Sequence, residues 1–144
     1  MRHWRRTGRE MWMTPEQADF LTEHRFAALA TGRRDGSPQQ SLIAYEFDGT
    51  DVVLQTGLGS AKARNVARCA DVSLLVQDGG RYLTVYGRAE ILADGPERRR
   101  AIRRARARGS RPASEDDAEL DRELGERGSV AMRIVPARAM GRLG

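Results

Sequence analysis

Apolar and polar residues alternate with the two-residue period of β-strands over most of the chain from Phe26 onward. Short alternating runs bounded by turn residues predict strands that bury one face. Such strands are predicted at residues 27–31, 40–47, 52–56, 72–77, 82–92 and 130–135. Few helical patterns separate these runs. Six antiparallel strands with few helices favour a small, mainly β barrel over a parallel α/β sheet.

The run at 82–92 shows the alternation most clearly. Leu83, Val85, Ala89 and Ile91 share the predicted inward face, and Gly87 interrupts it, which predicts a bulge or a tight bend. In the run at 130–135 the inward positions are likewise apolar: Val130, Met132 and Ile134.

Three Asp-Gly pairs lie between consecutive strand runs: Asp35-Gly36, Asp48-Gly49 and Asp78-Gly79. Asp-Gly is typical of two-residue hairpin turns, in which both turn positions have positive φ. The pairs therefore predict three hairpins: 27–31 with 40–47, 40–47 with 52–56, and 72–77 with 82–92.

The helical signals are fewer. Thr14, Pro15 and Gln17 have the spacing of a capping box with proline at the first helical position. Ser60 is a favourable N-cap for a second helix. The predicted inner face of that helix is apolar: Ala63, Val66, Ala67 and Ala70.

Two further helices are predicted at 96–108 and around 118–124, within a helical and loop insertion at 95–127. Residues 1–13 are predicted to be an N-terminal arm, and 14–144 a single barrel domain. The basic start has no apolar segment typical of a secretory signal, and no apolar run is long enough to span a membrane. The single cysteine, Cys69, is interpreted as a small packing residue and fits a cytoplasmic location.

The formal net charge is +5, but Lys62 is the only lysine among the basic residues. Such a skew towards arginine is typical of GC-rich codon usage, so the surplus of arginine says little about function. The arginine run at 98–111 could bind nucleic acid through phosphates. It lacks interleaved aromatic residues, and the acidic residues at 115–126 follow closely, so a solvated helix with intrachain ion pairs is favoured.

The segment 57–65 holds the sharpest chemical signal. A helix N-terminus carries partial positive charge and unpaired N–H groups, so Lys62 and Arg64 in the first turns are locally unfavourable. A bound phosphate would reverse that sign, because the amides, the Ser60 hydroxyl and both cations would converge on it. An alternative is that these cations are merely solvated in an arginine-rich chain.

The ordered series of motifs resembles the pyridoxamine 5′-phosphate oxidase-like split-barrel family over residues 15–94 and 129–142. The resemblance is carried by Leu54-Gln55-Thr56-Gly57 leading into Ser60-Ala61-Lys62-Ala63-Arg64-Asn65, by Asp71-Val72-Ser73-Leu74, by Tyr82-Leu83-Thr84-Val85-Tyr86-Gly87-Arg88-Ala89, and by Arg133-Ile134-Val135-Pro136-Ala137-Arg138. It implies an FMN-binding-like split barrel that forms a homodimer with a cofactor in each interface cleft.

The resemblance also implies residue roles. The phosphate region of the cofactor would be held by Thr56, Ser60, Lys62, Arg64 and Asn65. The ring system would be lined by Gln40, Ser41, Leu42 and Ile43. Actinobacterial members similar to this chain often use coenzyme F420, which is the first expectation, with FMN as the alternative. The substrate motifs of true pyridoxamine phosphate oxidases are absent at the C-terminus.

The implied activity is hydride transfer to a small unsaturated acceptor, with the cofactor carrying the hydride. No catalytic side chain is assigned, and a non-catalytic carrier or sensor stays open as an alternative. Tyr45, Tyr82 and Tyr86 are candidates to line the cleft, although packing on the barrel is the favoured interpretation of each. His3 and His24 are the only histidines, and no metal-ligand spacing is present.

Overall fold

The computed structural model describes residues 12–144. In this part of the chain the strands are β1 (Phe26–Gly32), β2 (Pro38–Ala44), β3 (Glu46–Phe47), β4 (Val52–Gly57), β5 (Asp71–Asp78), β6 (Arg81–Leu92) and β7 (Ser129–Arg142). The helices are α1 (Pro15–Glu23), α2 (Ala61–Arg68), α3 (Gly95–Ala105) and α4 (Asp117–Arg127). The predicted mainly β class is confirmed.

The strands form one antiparallel sheet in the order β2-β1-β5-β6-β7-β4-β3. The two edge strands, β2 and β3, are separated in sequence only by Tyr45, so the sheet curls until its two edges meet as a split barrel. The prediction of one strand at 40–47 is wrong. Its first part pairs with β1 and its last two residues pair with β4, which makes seven strands instead of six.

Tyr45 causes this break. Its side chain is 1% exposed, and its hydroxyl donates to the Leu21 carbonyl oxygen at 2.6 Å. Its backbone N–H donates to the Arg25 carbonyl oxygen at 2.8 Å. Burial raises the pKa of the phenol above its ordinary value. Tyr45 therefore connects α1 to the place where the two edges of the sheet meet.

The three predicted hairpins form, but their turn geometry differs from the prediction. Among the described residues only glycines have positive φ, including Gly36, Gly49 and Gly79, so no Asp-Gly pair makes a turn with two left-handed positions. The aspartates act as side-chain acceptors instead. Asp35 Oδ1 accepts from the Ser37 N–H at 2.9 Å, and Asp48 Oδ1 accepts from the Asp51 N–H at 2.7 Å.

The main core fills the barrel with the inward residues of every long strand. Leu83, Val85 and Ala89 of β6 are buried as predicted, whereas Ile91 is only partly buried. The predicted irregularity at Gly87 is confirmed by a register shift between β6 and β7. A Cβ atom at Gly87 would lie 2.5 Å from the Val135 carbonyl oxygen, so the strands approach too closely there for a side chain.

A second, smaller core lies on the outer face of β4 and β7, beneath α3 and α4. Its members are Val53, Leu92, Ala101, Ile102, Leu120, Leu124 and Ala131. β7 is therefore buried on both faces along its first half, because Met132 and Ile134 face the barrel while Ala131 faces the helices. The predicted insertion at 95–127 is this helical layer.

Several local predictions have clear outcomes. Thr14 and Gln17 form the predicted capping box on α1. Ala63 and Val66 of α2 are buried, but Ala67 is exposed, so the buried face of α2 is narrower than predicted. Cys69 ends α2 at an exposed position, so its interpretation as a packing residue is wrong. Cys69 lies directly after the last turn of α2, outside the helix face that is buried.

The predicted arm at 1–13 lies outside the described residues except for its last two positions. Met13 is 2% exposed within the main core, and Trp12 packs against it, so the barrel begins before residue 14. No helix in the part of the chain from residue 12 to 144 is long and apolar enough to cross a membrane.

Candidate functional site

The segment between β4 and α2 forms a strand-to-helix turn, as its glycines and Ser60 predict. Ser60 Oγ accepts from the Ala63 N–H at 3.2 Å, which confirms the predicted N-cap. Thr56 is 8% exposed, and its hydroxyl lies 3.1 Å from Ser60 Oγ. The remaining first-turn N–H groups of a helix have no intrahelical acceptors. The turn therefore places two hydroxyls at the positive end of α2.

Lys62 and Arg64 lie on different sides of α2. Two positions along a helix rotate a side chain by about 200°, so neighbours at this spacing do not face each other. Lys62 is half-buried and lines one hollow, whereas Arg64 lines another and donates to the Gly59 carbonyl oxygen at 2.5 Å. The two predicted phosphate ligands are therefore not brought together on one side.

The hollow beside Lys62, called the cleft here, has a volume of about 310 Å³. β2 and the end of α3 contribute apolar side chains to its wall, whereas Lys62 and Gln55 contribute polar ones, and polar atoms make up most of the lining surface. The lining residues are Leu42, Ile43, Ala44, Gln55, Lys62 and Ala105. A wall that combines apolar side chains with one amide and one cation suits a planar ring that carries an anionic arm.

The hollow on the other side of α2, called the arginine pocket, is larger, with a volume of about 780 Å³. It lies between α2 and the β1–β2 turn. Its wall includes four arginines and one carboxylate, although apolar atoms make up most of the lining surface. The lining residues are Arg33, Arg34, Asp35, Ala61, Arg64, Asn65, Ala67 and Arg68.

Asn65 is 6% exposed, and its side chain is already hydrogen-bonded within the protein. Its Nδ2 donates to Thr31 Oγ1 at 3.0 Å, and its Oδ1 accepts from Arg68 Nη2 at 2.9 Å. Arg68 also donates to the Gly32 carbonyl oxygen at 3.0 Å. The asparagine thus fixes α2 against β1, and its predicted contact with a cofactor stays a prediction.

The four residues predicted to line a ring divide by their position along β2. Ile43 is 7% exposed, and Leu42 is 79% exposed, yet both line the cleft. Gln40 is exposed, and Ser41 is half-buried and accepts from Gln39 Nε2 at 3.0 Å. The structure therefore brings Leu42 and Ile43 to the cleft beside Lys62, and it does not bring Gln40 and Ser41 there.

The tyrosine candidates do not line the cleft. Tyr45 is in the core, while Tyr82 and Tyr86 lie on the outer sheet face at 41% and 37% exposure. The Arg138 guanidinium stacks 4.6 Å from the Tyr86 ring centre. The favoured interpretation of each tyrosine, packing on the barrel, agrees with these positions.

The arginine run is engaged in intrachain contacts, as predicted. Arg103 donates to Asp117 at 2.8 Å, and Arg99 donates to Asp121 at 2.8 Å. Arg108 pairs with the buried Glu46 at 2.6 Å. Other members donate to a carboxylate or a backbone carbonyl: Arg98, Arg104 and Arg106. These arginines connect α3 to α4 and to the barrel.

Sequence reasoning missed Ala44, Gln55, Ala105 and Arg106, and of these Ala44 lines the cleft next to the predicted Ile43. Gln55 and Ala105 line the cleft, and Arg106 Nε donates to Gln55 Oε1 at 2.9 Å. Ala105 and Arg106 belong to the insertion, whose composition indicated only a charged helix. Gln55 immediately precedes the predicted ligand Thr56 and points to the opposite face of β4, and its position in the cleft depends on where α3 ends.

Comparisons with known proteins agree with this architecture. A protein of Mycobacterium tuberculosis (strain CDC 1551 / Oshkosh), described as an F420H(2)-dependent biliverdin reductase, is 40% identical over 78 residues. The match covers 52% of this chain and 56% of that protein, so the chain spans about half the length of this curated relative.

Two solved structures are similar over most of the chain. A conserved hypothetical protein from Mycobacterium tuberculosis is 29% identical with a TM-score of 0.75, covering 90% of this chain and 84% of that one. A structure described as an F420 reductase is 26% identical with a TM-score of 0.66, covering 88% of this chain and 98% of that one.

The family model described as pyridoxamine 5′-phosphate oxidase matches residues 13–140. This range includes the split barrel, the strand-to-helix turn and the insertion that walls the cleft. The family match confirms the resemblance inferred from the ordered motifs, and the chain belongs to the pyridoxamine 5′-phosphate oxidase family.

Proposed function

We propose that this protein is a flavin- or deazaflavin-dependent oxidoreductase that uses coenzyme F420 to transfer hydride to a small unsaturated acceptor. The observation that carries the proposal is the cleft, where Lys62 at the start of α2 lies beside apolar side chains of β2 and α3. The names of two similar proteins, an F420H(2)-dependent biliverdin reductase and an F420 reductase, support the choice of cofactor.

The residues present fit such a group. A cation without a carboxylate among its cleft neighbours, next to a helix N-terminus, favours an anion. Thr56 and Ser60 add hydroxyls at the same turn. We assign the phosphate region to Thr56, Ser60 and Lys62, with Asn65 holding α2 in place. Arg64, which was also expected there, lines the arginine pocket on the other side of α2 and is not assigned to this site. Leu42 and Ile43 would contact the ring, while Gln40 and Ser41 would extend the strand that supports it.

The cofactor, when bound, supplies the hydride. The protein's part is to bind and orient the ring and to exclude water from the cleft. Among the residues that line the cleft, Lys62 alone is ionisable. We therefore assign no side chain as general acid or base.

A second copy of the chain is the proposed partner. Strand register places Leu42, Ala28, Leu75, Thr84 and Met140 side by side on the outer sheet face. Within this row Leu42 is 79%, Leu75 40% and Met140 49% exposed, which is unusual for large apolar side chains in a row.

The row is continuous with the cleft, because Leu42 belongs to both. The cleft itself is at the small end of the volumes of about 300–1,000 Å³ that are typical of ligand sites. We infer that a second copy covers the apolar row and supplies another wall of the cleft. A cytoplasmic location stays an expectation based on the single cysteine.

The cofactor and the partner are tested with the same purified protein. Fluorescence titration with coenzyme F420 and with FMN is expected to give micromolar or tighter binding of F420 and weaker binding of FMN. Light scattering after size exclusion is expected to give twice the chain mass. Binding of neither cofactor would contradict the proposal, and tighter binding of FMN would assign the FMN-dependent alternative.

A carrier or sensor without turnover is the second candidate, favoured by the lack of a carboxylate, histidine or cysteine among the cleft-lining residues. Reduced cofactor bound to the protein is mixed with a panel of conjugated small acceptors, and its oxidation is followed by absorbance. Acceptor-dependent oxidation supports the reductase. Tight binding with no oxidation above the rate of free cofactor supports the carrier.

A further inference from the structure

Gln55 is the polar group of the cleft that the proposed phosphate site does not use. It lies on β4 with its side chain on the outer face, beside the end of α3, and it is half-buried. Its Oε1 accepts from Arg106 Nε at 2.9 Å. The insertion therefore contributes a hydrogen bond to a side chain of the cleft wall.

Arg106 is held rigidly from its other side. Its Nη1 donates to Glu123 Oε1 at 3.0 Å, and its Nη2 donates to Glu123 Oε2 at 2.7 Å. This two-pronged pairing with a carboxylate is the most directional that an arginine makes. The Arg106 side chain is only 13% exposed. A continuous chain of hydrogen bonds thus runs from α4 through the end of α3 to Gln55.

The chemistry of these groups fixes the orientation of the Gln55 amide. A guanidinium has donors and no acceptor, so the amide must turn its oxygen towards Arg106. The NH₂ group is then the part of the amide that Arg106 does not engage, and Gln55 lines the cleft. If Arg106 were absent, the amide could present either its oxygen or its nitrogen there.

We propose that Gln55 donates a hydrogen bond from Nε2 to a carbonyl oxygen of the cofactor ring, and that Arg106 and Glu123 are positioning residues that hold the amide in this orientation. The inference rests on the proposed function and concerns the same cleft. Flavin and deazaflavin rings carry carbonyl oxygens, which accept such a bond. Lys62 and Gln55 would then bind the anionic arm and the ring, respectively.

The two variants Gln55→Glu and Gln55→Met separate this role from packing. Glutamate keeps the acceptor for Arg106 but cannot donate when ionised, and methionine keeps the length without charge or hydrogen bonds. We expect both to weaken binding of coenzyme F420 and of FMN by about five- to tenfold, the size of one net hydrogen bond. The absorption bands of the bound cofactor should also shift relative to wild type, because a ring carbonyl loses its donor.

Gln77→Glu is the matched control, because it makes the same change on an exposed residue of β5 away from the cleft. It should leave both affinity and spectrum unchanged. A loss confined to Gln55→Glu would indicate repulsion of an anionic cofactor and would overturn the proposal. Unchanged affinity and spectrum in both Gln55 variants would overturn it while leaving the proposed function intact. A wild-type protein that binds neither cofactor would overturn both.

The positioning role is tested by a double-mutant cycle. Arg106→Met alone should weaken cofactor binding by about threefold, because the freed amide can rotate. In the Gln55→Met background the same change should have no further effect on affinity, although it still lowers the melting temperature. Equal losses of affinity in both backgrounds would show that Arg106 acts on the cleft independently of Gln55 and would overturn its assignment as a positioning residue.

Discussion

The barrel and the α3–α4 layer bury their interiors by different means. The barrel core contains inward apolar side chains from most of the strands, with residues such as Leu74 and Leu83 fully buried. The helical layer has a small apolar cluster, bordered by arginine–carboxylate pairs. The cleft lies where these two regions meet, with Lys62 on the barrel side and Ala105 on the helical side.

This difference predicts unequal stability. Exposed ion pairs contribute little, with typical values below about 1 kcal/mol. Arg98 illustrates the cost of burying such groups, since it is 8% exposed and its Nε has no hydrogen-bond partner among the described residues. The helical layer is therefore expected to be the less stable region and to open locally before the barrel unfolds.

The largest expected effect compares Leu74→Ala in the barrel with Leu120→Ala in the helical layer. Both side chains are fully buried. Removal of a buried leucine costs about 2–5 kcal/mol, and the cost falls where the surroundings can collapse into the cavity. We expect Leu74→Ala at the upper end and Leu120→Ala at the lower end, measured by urea unfolding.

Hydrogen exchange measures the stabilities of the barrel and the helical layer separately. Leu120→Ala should accelerate exchange in α3 and α4 while the amides of β5 and β6 stay protected. A larger loss of stability for Leu120→Ala than for Leu74→Ala, or equal acceleration throughout the chain, would contradict the division into two regions.

Lys62→Ala tests the barrel side of the cleft. Loss of the cation should weaken cofactor binding more than tenfold, about 1.4 kcal/mol or more, and leave the melting temperature of the cofactor-free protein nearly unchanged. Titration and thermal unfolding measure the two quantities. Arg100→Ala removes the same charge from an exposed position on α3 and is the control.

Arg64→Ala extends this test to the other side of α2. If the anionic arm binds in the cleft, Arg64→Ala weakens binding less than Lys62→Ala does. The reverse order would place the arm in the arginine pocket, and an unchanged affinity of Lys62→Ala would contradict the assignment of Lys62.

The smallest expected effect concerns Glu123 and pH. The hydrogen bond from Arg106 holds the pKa of Glu123 below its ordinary value. Because the pKa of Glu123 is lower in the folded state, the ionised carboxylate stabilises the folded protein at pH values above the unfolded-state pKa of about 4.3. This stabilisation is lost as the pH falls through the folded-state pKa. Glu123→Gln should therefore be less stable than wild type by less than about 1 kcal/mol at pH 7, since the carboxylate is partly exposed.

At pH 3 the difference between Glu123→Gln and wild type should be smaller than at pH 7, because pH 3 lies below the unfolded-state pKa of about 4.3 and the stabilising contribution of the ionised carboxylate decreases there. Other carboxyl groups titrate in both proteins and cancel in the comparison. Urea unfolding at pH 3 and at pH 7 measures the difference in the free energy of unfolding between the two proteins. A difference that grows as the pH falls would contradict the stabilising role of the ionised pair.

Much of the fold follows from local patterns. Alternation fixed the inward face of β6 because a strand has a strict two-residue period. The capping box at Thr14 and the N-cap at Ser60 depend only on residues three positions away, so they were predictable. The break at Tyr45 was not, because it depends on contacts with Leu21 and Arg25 across the end of the barrel.

Residue patterns were enough to predict that the chain is mainly β, that a helix with a cation in its first turn follows a strand, and that the motifs resemble one family. The folded arrangement was needed to show that Lys62 and Arg64 line different hollows, since helix rotation separates neighbours in sequence. It also decided that Gln55 meets Arg106, residues joined by no local pattern. Local patterns specify periodicity and capping, whereas a cleft between a barrel and a helical layer depends on how distant segments pack.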